Sequence, residues 1–73
     1  MVKSIRIEAR NFPSVAEAVS HYYLKGFETV NWLSDGSRYM RRADPLFPKA
    51  FYEARISHPE LLTIDVNVSY IAG

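Results

Sequence analysis

The chain has 73 residues and 8.4 kDa, with no cysteine, so disulfides and thiolate metal sites are excluded. Nine Lys and Arg against eight Asp and Glu leave a charge of +1; this disfavours a strongly basic nucleic-acid binder and an acidic nucleic-acid mimic as whole-chain readings. The share of hydrophobic residues, 48%, fits one globular domain, 1–73, rather than a disordered chain, although a chain this short hides only about 60% of its unfolded surface.

The segment Met1-Val2-Lys3-Ser4-Ile5-Arg6 has no apolar run of signal-peptide type, and no stretch approaches the roughly 18 apolar residues of a membrane span. A cytoplasmic protein with no membrane partner is the expectation.

Residues 4–10 alternate, with Ile5, Ile7 and Ala9 on one face and Ser4, Arg6, Glu8 and Arg10 on the other, which predicts a strand. Asn11-Phe12-Pro13 interrupts it, because proline cannot donate to a ladder. Ser14 and Glu17 then have the spacing of a capping box, and Val15, Ala18, Val19 and Tyr22 fall on one helical stripe. Lys25, Gly26 and Phe27 supply a basic last turn, a residue suited to the left-handed C′ position and the apolar residue after it. A helix over 15–25 follows.

Residues 27–33 predict a second strand. Asp35-Gly36 signals a hairpin with a two-residue type I′ turn, which would set Trp32 opposite Tyr39, Val30 opposite Arg41 and Asn31 opposite Met40. The third strand runs to about Arg42. Both faces of this hairpin are partly apolar, and alternation does not choose which looks inward. Ala43–Pro48 is a proline-marked loop. From Ala50 alternation returns, with Tyr52, Ala54 and Ile56 opposed to Phe51, Glu53 and Arg55. A turn at 57–60 precedes the most regular strand, where Leu62, Ile64, Val66, Val68 and Tyr70 oppose Thr63, Asp65, Asn67 and Ser69. The fold class is therefore α+β: one amphipathic helix packed on a mostly antiparallel four- to five-stranded sheet, in the order β-α-β-β-β-β. The predicted core is Ile5, Ile7, Val15, Val19, Tyr22, Tyr52, Ile56, Ile64, Val66 and Val68.

Chemistry-bearing residues are sparse. His21 and His58 have no second ligand at a metal-binding spacing, and no serine sits in a nucleophile elbow. Glu53 and Asp65 could meet across neighbouring strands, but on a wet face they read as solvated charges. An active site also needs a concave pocket of about 300 Å³ or more, which a thin domain rarely offers. The expectation is a non-enzymatic protein that takes no cofactor and no metal.

The most informative segment is Ser37-Arg38-Tyr39-Met40-Arg41-Arg42, which is followed by Lys49 and Arg55. Arginine forks match carboxylate or phosphate oxygens, and neighbouring aromatics can stack on bases or anchor an interface. The alternative is a solvated strand whose charges guard an edge. Alternation also turns Phe51 outward, and Leu46 and Phe47 sit in a proline-flanked loop. Arg38, Tyr39, Arg41, Arg42, Phe47 and Phe51 are the candidate partner-binding residues, since arginine and aromatics are the types enriched at interface hot spots.

In length, in its β-α-β-β opening, in its arginine-rich hairpin and in lacking a catalytic motif, the chain resembles the small host-takeover proteins of bacteriophages. The resemblance assigns no residue. It implies a module that inhibits or modulates a host protein machine, such as RNA polymerase, a nuclease or a defence complex, in the host cytoplasm. Nucleic-acid binding by the arginine-rich hairpin is the alternative, and a homodimer formed through an edge strand is a third reading.

Overall fold

The chain runs β1 (Lys3–Phe12), α1 (Val15–Leu24), β2 (Glu28–Trp32), β3 (Arg38–Ala43), β4 (Phe51–Ser57) and β5 (Ile64–Ala72). This computed structural model describes residues 2–57 and 63–72. The strands form one antiparallel sheet in the order β1-β5-β4-β3-β2. β1 and β2 are its two edges, so α1 carries the chain across one face from one edge to the other. The α+β expectation holds. His58 and Leu62, and most of the turn expected at 57–60, lie outside the described residues. Among the described residues no helix is long and apolar enough to cross a membrane.

The helix ends where its sequence dictates. Ser14 is extended, at φ −151° and ψ 158°, and its hydroxyl accepts from the Glu17 amide at 3.2 Å. At the other end Gly26 takes φ +94°. Its amide donates to the Tyr23 carbonyl, and the Phe27 amide donates to Tyr22, both at 3.0 Å. These are the paired bonds of a Schellman motif, and the Phe27 ring packs edge-on against Tyr22 at 5.5 Å.

Directly paired residues share a sheet face, so the ladders fix both faces. Beneath α1 lie Ile64, Val66 and Val68 of β5, Ala54 and Ile56 of β4, and Met40 of β3, all buried. The inward face of the β2–β3 hairpin is thus the one that carries Met40, with Arg38 and Arg42 on the same side. Tyr22 and Ala18 close the core from the helix, and Val15, Val19 and Tyr52 pack at its margin. Tyr22, Ile56, Ile64, Val66 and Val68 are buried as expected. Phe12, Phe27, Met40 and Ala54 join them.

Two features differ from expectation. The pairing of β1 with β5 slips between Arg6 and Glu8, which leaves Ile7 as the extra residue of a bulge. A bulge reverses the phase of alternation. Glu8 therefore turns under the helix, where it accepts from the Tyr22 hydroxyl at 2.6 Å, while Ala9 goes to the opposite face beside Asn67. Ile5 and Ile7 are not core residues: they remain 61% and 54% exposed.

The hairpin turn has three residues, not two. Leu33 and Ser37 pair by a bond from the Leu33 amide at 3.0 Å, and the Gly36 amide donates to Leu33. Among the described residues only Gly26 and Gly36 have positive φ, so Asp35 does not take the I′ conformation. A type I turn followed by a left-handed glycine fits this geometry. The longer loop moves the register by one residue. Trp32 faces Arg38, Asn31 faces Tyr39, and Val30 falls in a bulge.

Candidate functional site

A helix of ten residues is about 15 Å long, whereas a ten-residue strand spans about 33 Å. α1 therefore cannot cover the whole face. Beyond its C-terminal end the sheet is bare, and a groove of about 960 Å³ opens there. Ile5, Ile7, Tyr52 and Tyr70 form its floor, and Leu46 and Phe47 of the β3–β4 loop overhang it. Leu46 and Phe47 are exposed. Past Phe47 and Tyr70 the surface continues into a second depression of about 540 Å³ beside Pro48 and Ala72. These volumes exceed what a single-layer domain was expected to offer.

The overhanging loop is tied down. Asp44 and Ala50 close it through a backbone bond of 3.1 Å, and Ala50 donates to the Phe47 carbonyl at 2.9 Å. The Asp44 carboxylate accepts from the Leu46 amide at 2.8 Å and from the Tyr70 hydroxyl at 2.6 Å. The Tyr70 bond, and then the Leu46 amide, hold the Asp44 carboxyl below its ordinary range. Reciprocally, Asp44 pushes the Tyr70 phenol up to about 12.

Arg42 forms the wall nearest the helix. Its guanidinium donates to the Lys25 carbonyl at 3.0 Å, which satisfies one of the acceptors left over at a helix C-terminus. It also lies 4.5 Å from the Tyr52 ring centroid and 5.3 Å from that of Phe27. A Cβ on Gly26 would meet Arg42 Cδ at 3.3 Å. Arg42 thus joins helix to sheet, and Arg42→Glu perturbs the fold as well as the surface.

The opposite face carries a different constellation. Glu53 is only 7% exposed although no helix covers it. The Tyr39 hydroxyl donates to its Oε2, and Arg55 Nε lies 3.3 Å from Oε1. Arg41 Nε donates to the Tyr39 oxygen at 2.9 Å, and its guanidinium lies 4.3 Å from the Phe51 ring centroid. Burial, and then the Glu53 bond, raise the Tyr39 phenol. Glu53 faces Ser69 rather than Asp65, whose partner is Ser57.

The six candidate contact residues therefore divide. Tyr39, Arg41 and Phe51 form one connected cluster on the uncovered face. Arg42 and Phe47 line the groove on the other. Arg38 stays at the hairpin tip, 3.9 Å from the Trp32 ring centroid and donating to the Gly36 carbonyl at 2.7 Å. Ile5, Ile7 and Leu46 complete the groove and were not among the six. The signal that finds them is helix length set against strand length.

His21 touches neither surface. Its ring packs on Phe12 and Tyr22, and its Nε2 accepts from Arg10 at 3.0 Å. Desolvation and then Arg10 lower its pKa. Among the described residues no three His, Cys, Asp or Glu are grouped to hold a metal ion.

The chain matches no family model, no curated protein and no solved structure.

Proposed function

We infer that the chain is a protein-binding module and that the groove is its contact surface. One observation carries this reading: Ile5, Ile7, Leu46 and Phe47 lie exposed together at one end of the sheet, on a strand floor and a hydrogen-bonded overhang. Contiguous exposed apolar surface of this kind marks interaction sites. The cluster on the other face is already engaged with itself: Arg41 is held by Tyr39 and Phe51, and Glu53 by Tyr39 and Arg55. Its groups have less to offer a partner. A module of this size with no catalytic motif acts by occupying or redirecting its target. The resemblance to phage host-takeover proteins makes a bacterial protein machine the class of target we propose.

A specific observation favours a second reading. Arg6, Arg41 and Arg55 share the uncovered face with Tyr39 and Phe51, an arrangement suited to a single nucleic-acid strand.

A tagged pull-down from bacterial lysate, with and without nuclease, separates the two. Protein binding through the groove predicts a stoichiometric partner that survives nuclease, is lost with Ile5→Glu and Phe47→Glu together, and is kept with Arg41→Glu. Recovery that vanishes with nuclease, or with Arg41→Glu alone, overturns the groove reading in favour of the open face.

A further inference from the structure

The groove runs beside β1, an edge strand of ten residues. The two edges of the sheet are not equivalent. β2 has five residues, a bulge at Val30 and a tip where Arg38 covers the Trp32 ring. Short length and bulging are the devices by which proteins close an edge. β1 also has a bulge, at Ile7, but from Lys3 to Arg6 it is regularly paired with β5 and its outer side is open. Ile5 stands in the middle of this stretch, exposed over the groove floor.

Charge decides what can approach. β1 carries Lys3, Arg6 and Arg10, all exposed. Its acid, Glu8, is taken up by the Tyr22 hydroxyl. A second copy of the chain would set two basic β1 strands side by side, and their like charges repel. The same charges attract a strand of the opposite sign.

Resting on the protein-binding reading above, we propose that the Lys3–Arg6 edge accepts an extended acidic segment of the partner as a sixth strand. Its alternate aspartates or glutamates meet Arg6 on the uncovered face, and an acid at its end meets Lys3, which shares the groove side with Ile5. Its alternate aliphatic side chains descend against Ile5 and Ile7 into the groove. Backbone bonds to the edge supply register, and the groove supplies side-chain selection, as in other cases of strand addition. The positive edge disfavours a second copy and selects the partner.

The test is selection of random ten-residue peptides displayed against the full chain. The expected winners alternate Val, Ile or Leu with Asp or Glu. Their affinity falls by about tenfold or more in Lys3→Glu with Arg6→Glu. On that charge-reversed chain, renewed selection yields Lys- or Arg-bearing strands. Binding also slows amide hydrogen exchange within residues 3–6. Arg41→Glu leaves the affinity unchanged. Winners with apolar spacing i, i+3, i+4 and i+7 that are lost with Ile5→Glu overturn strand addition but keep the groove as a protein site. Winners indifferent to charge reversal overturn the acidic assignment. Failure to select any peptide overturns the strand proposal, and the nuclease-split pull-down then decides whether the protein-binding reading falls with it.

Discussion

The helix-side face has two halves built from the same strands. In one, Val66, Val68, Ala54 and Met40 lie under α1 and are buried. In the other, Ile5, Tyr70 and Tyr52 continue the same ladders beyond the end of the helix, and Ile5 lies open. Residue type does not distinguish them; coverage does. An aliphatic residue on the inner face of a strand becomes core only where a second layer reaches it. The half that is covered holds the fold together. The half that is not covered leaves apolar surface for another molecule.

Mutations sharpen this contrast, and the largest effect belongs under the helix. Met40 is fully buried, so Met40→Ala costs about 2–5 kcal/mol. Against a typical total of about 5–15 kcal/mol for small domains, denaturant melts will show a greatly lowered midpoint. Next comes the joint between the halves. Gly26→Ala forces a side chain onto φ +94° and against Arg42. Left-handed backbone costs a non-glycine residue about 1–2 kcal/mol, and the melts will show a midpoint lowered accordingly.

A smaller effect follows pH. The folded state holds His21 neutral, with its pKa lowered by desolvation and by Arg10. The unfolded chain takes up the proton first, so the stability from neutral His21 is complete above the unfolded value of about 6.5. It is lost as pH falls below that value. In His21→Asn the acid-side decline below about pH 6.5 will be shallower. Asp44→Asn should return the Tyr70 phenol from about 12 toward 10, read by titration of its ring resonances. Smallest is Ile7→Ser in the uncovered half, within about 0.5 kcal/mol of wild type in the same melts. A loss at Ile7 comparable with Met40 would erase the distinction between the halves.

Sequence signals are legible where the chemistry is local. Ser14 and Glu17 mark the helix start, and Lys25, Gly26 and Phe27 its stop, because caps are made by residues a few positions apart. The last strand was legible because Ile64, Val66 and Val68 alternate without interruption. Two features were not. The bulge at Ile7 leaves no mark on the alternation of Ile5, Ile7 and Ala9, so the phase change that turns Glu8 inward is invisible until β5 is in place. Asp35-Gly36 signals a hairpin, but the choice between a two- and a three-residue loop depends on whether Asp35 or only Gly36 takes positive φ. That choice moves Trp32 from Tyr39 to Arg38. The candidate site was legible as residue types and not as a surface. Successive residues on a strand face opposite ways, so a run such as Tyr39 to Arg42 necessarily divides between the two faces.

The pairing of β1 with β5 also sets an order of events. β2, β3 and β4 follow one another as hairpins, which close on a timescale of about 1–10 μs. β1 waits for a partner at the far end of the chain, with Lys3 opposite Ala72. Such distant pairing slows folding and comes late. It also leaves β1 held by one neighbouring strand and a single pass of the helix. Native-state hydrogen exchange should find β1 opening at lower free energy than β4. The strand proposed to offer its edge to a partner is then also the strand expected to pair last in its own sheet.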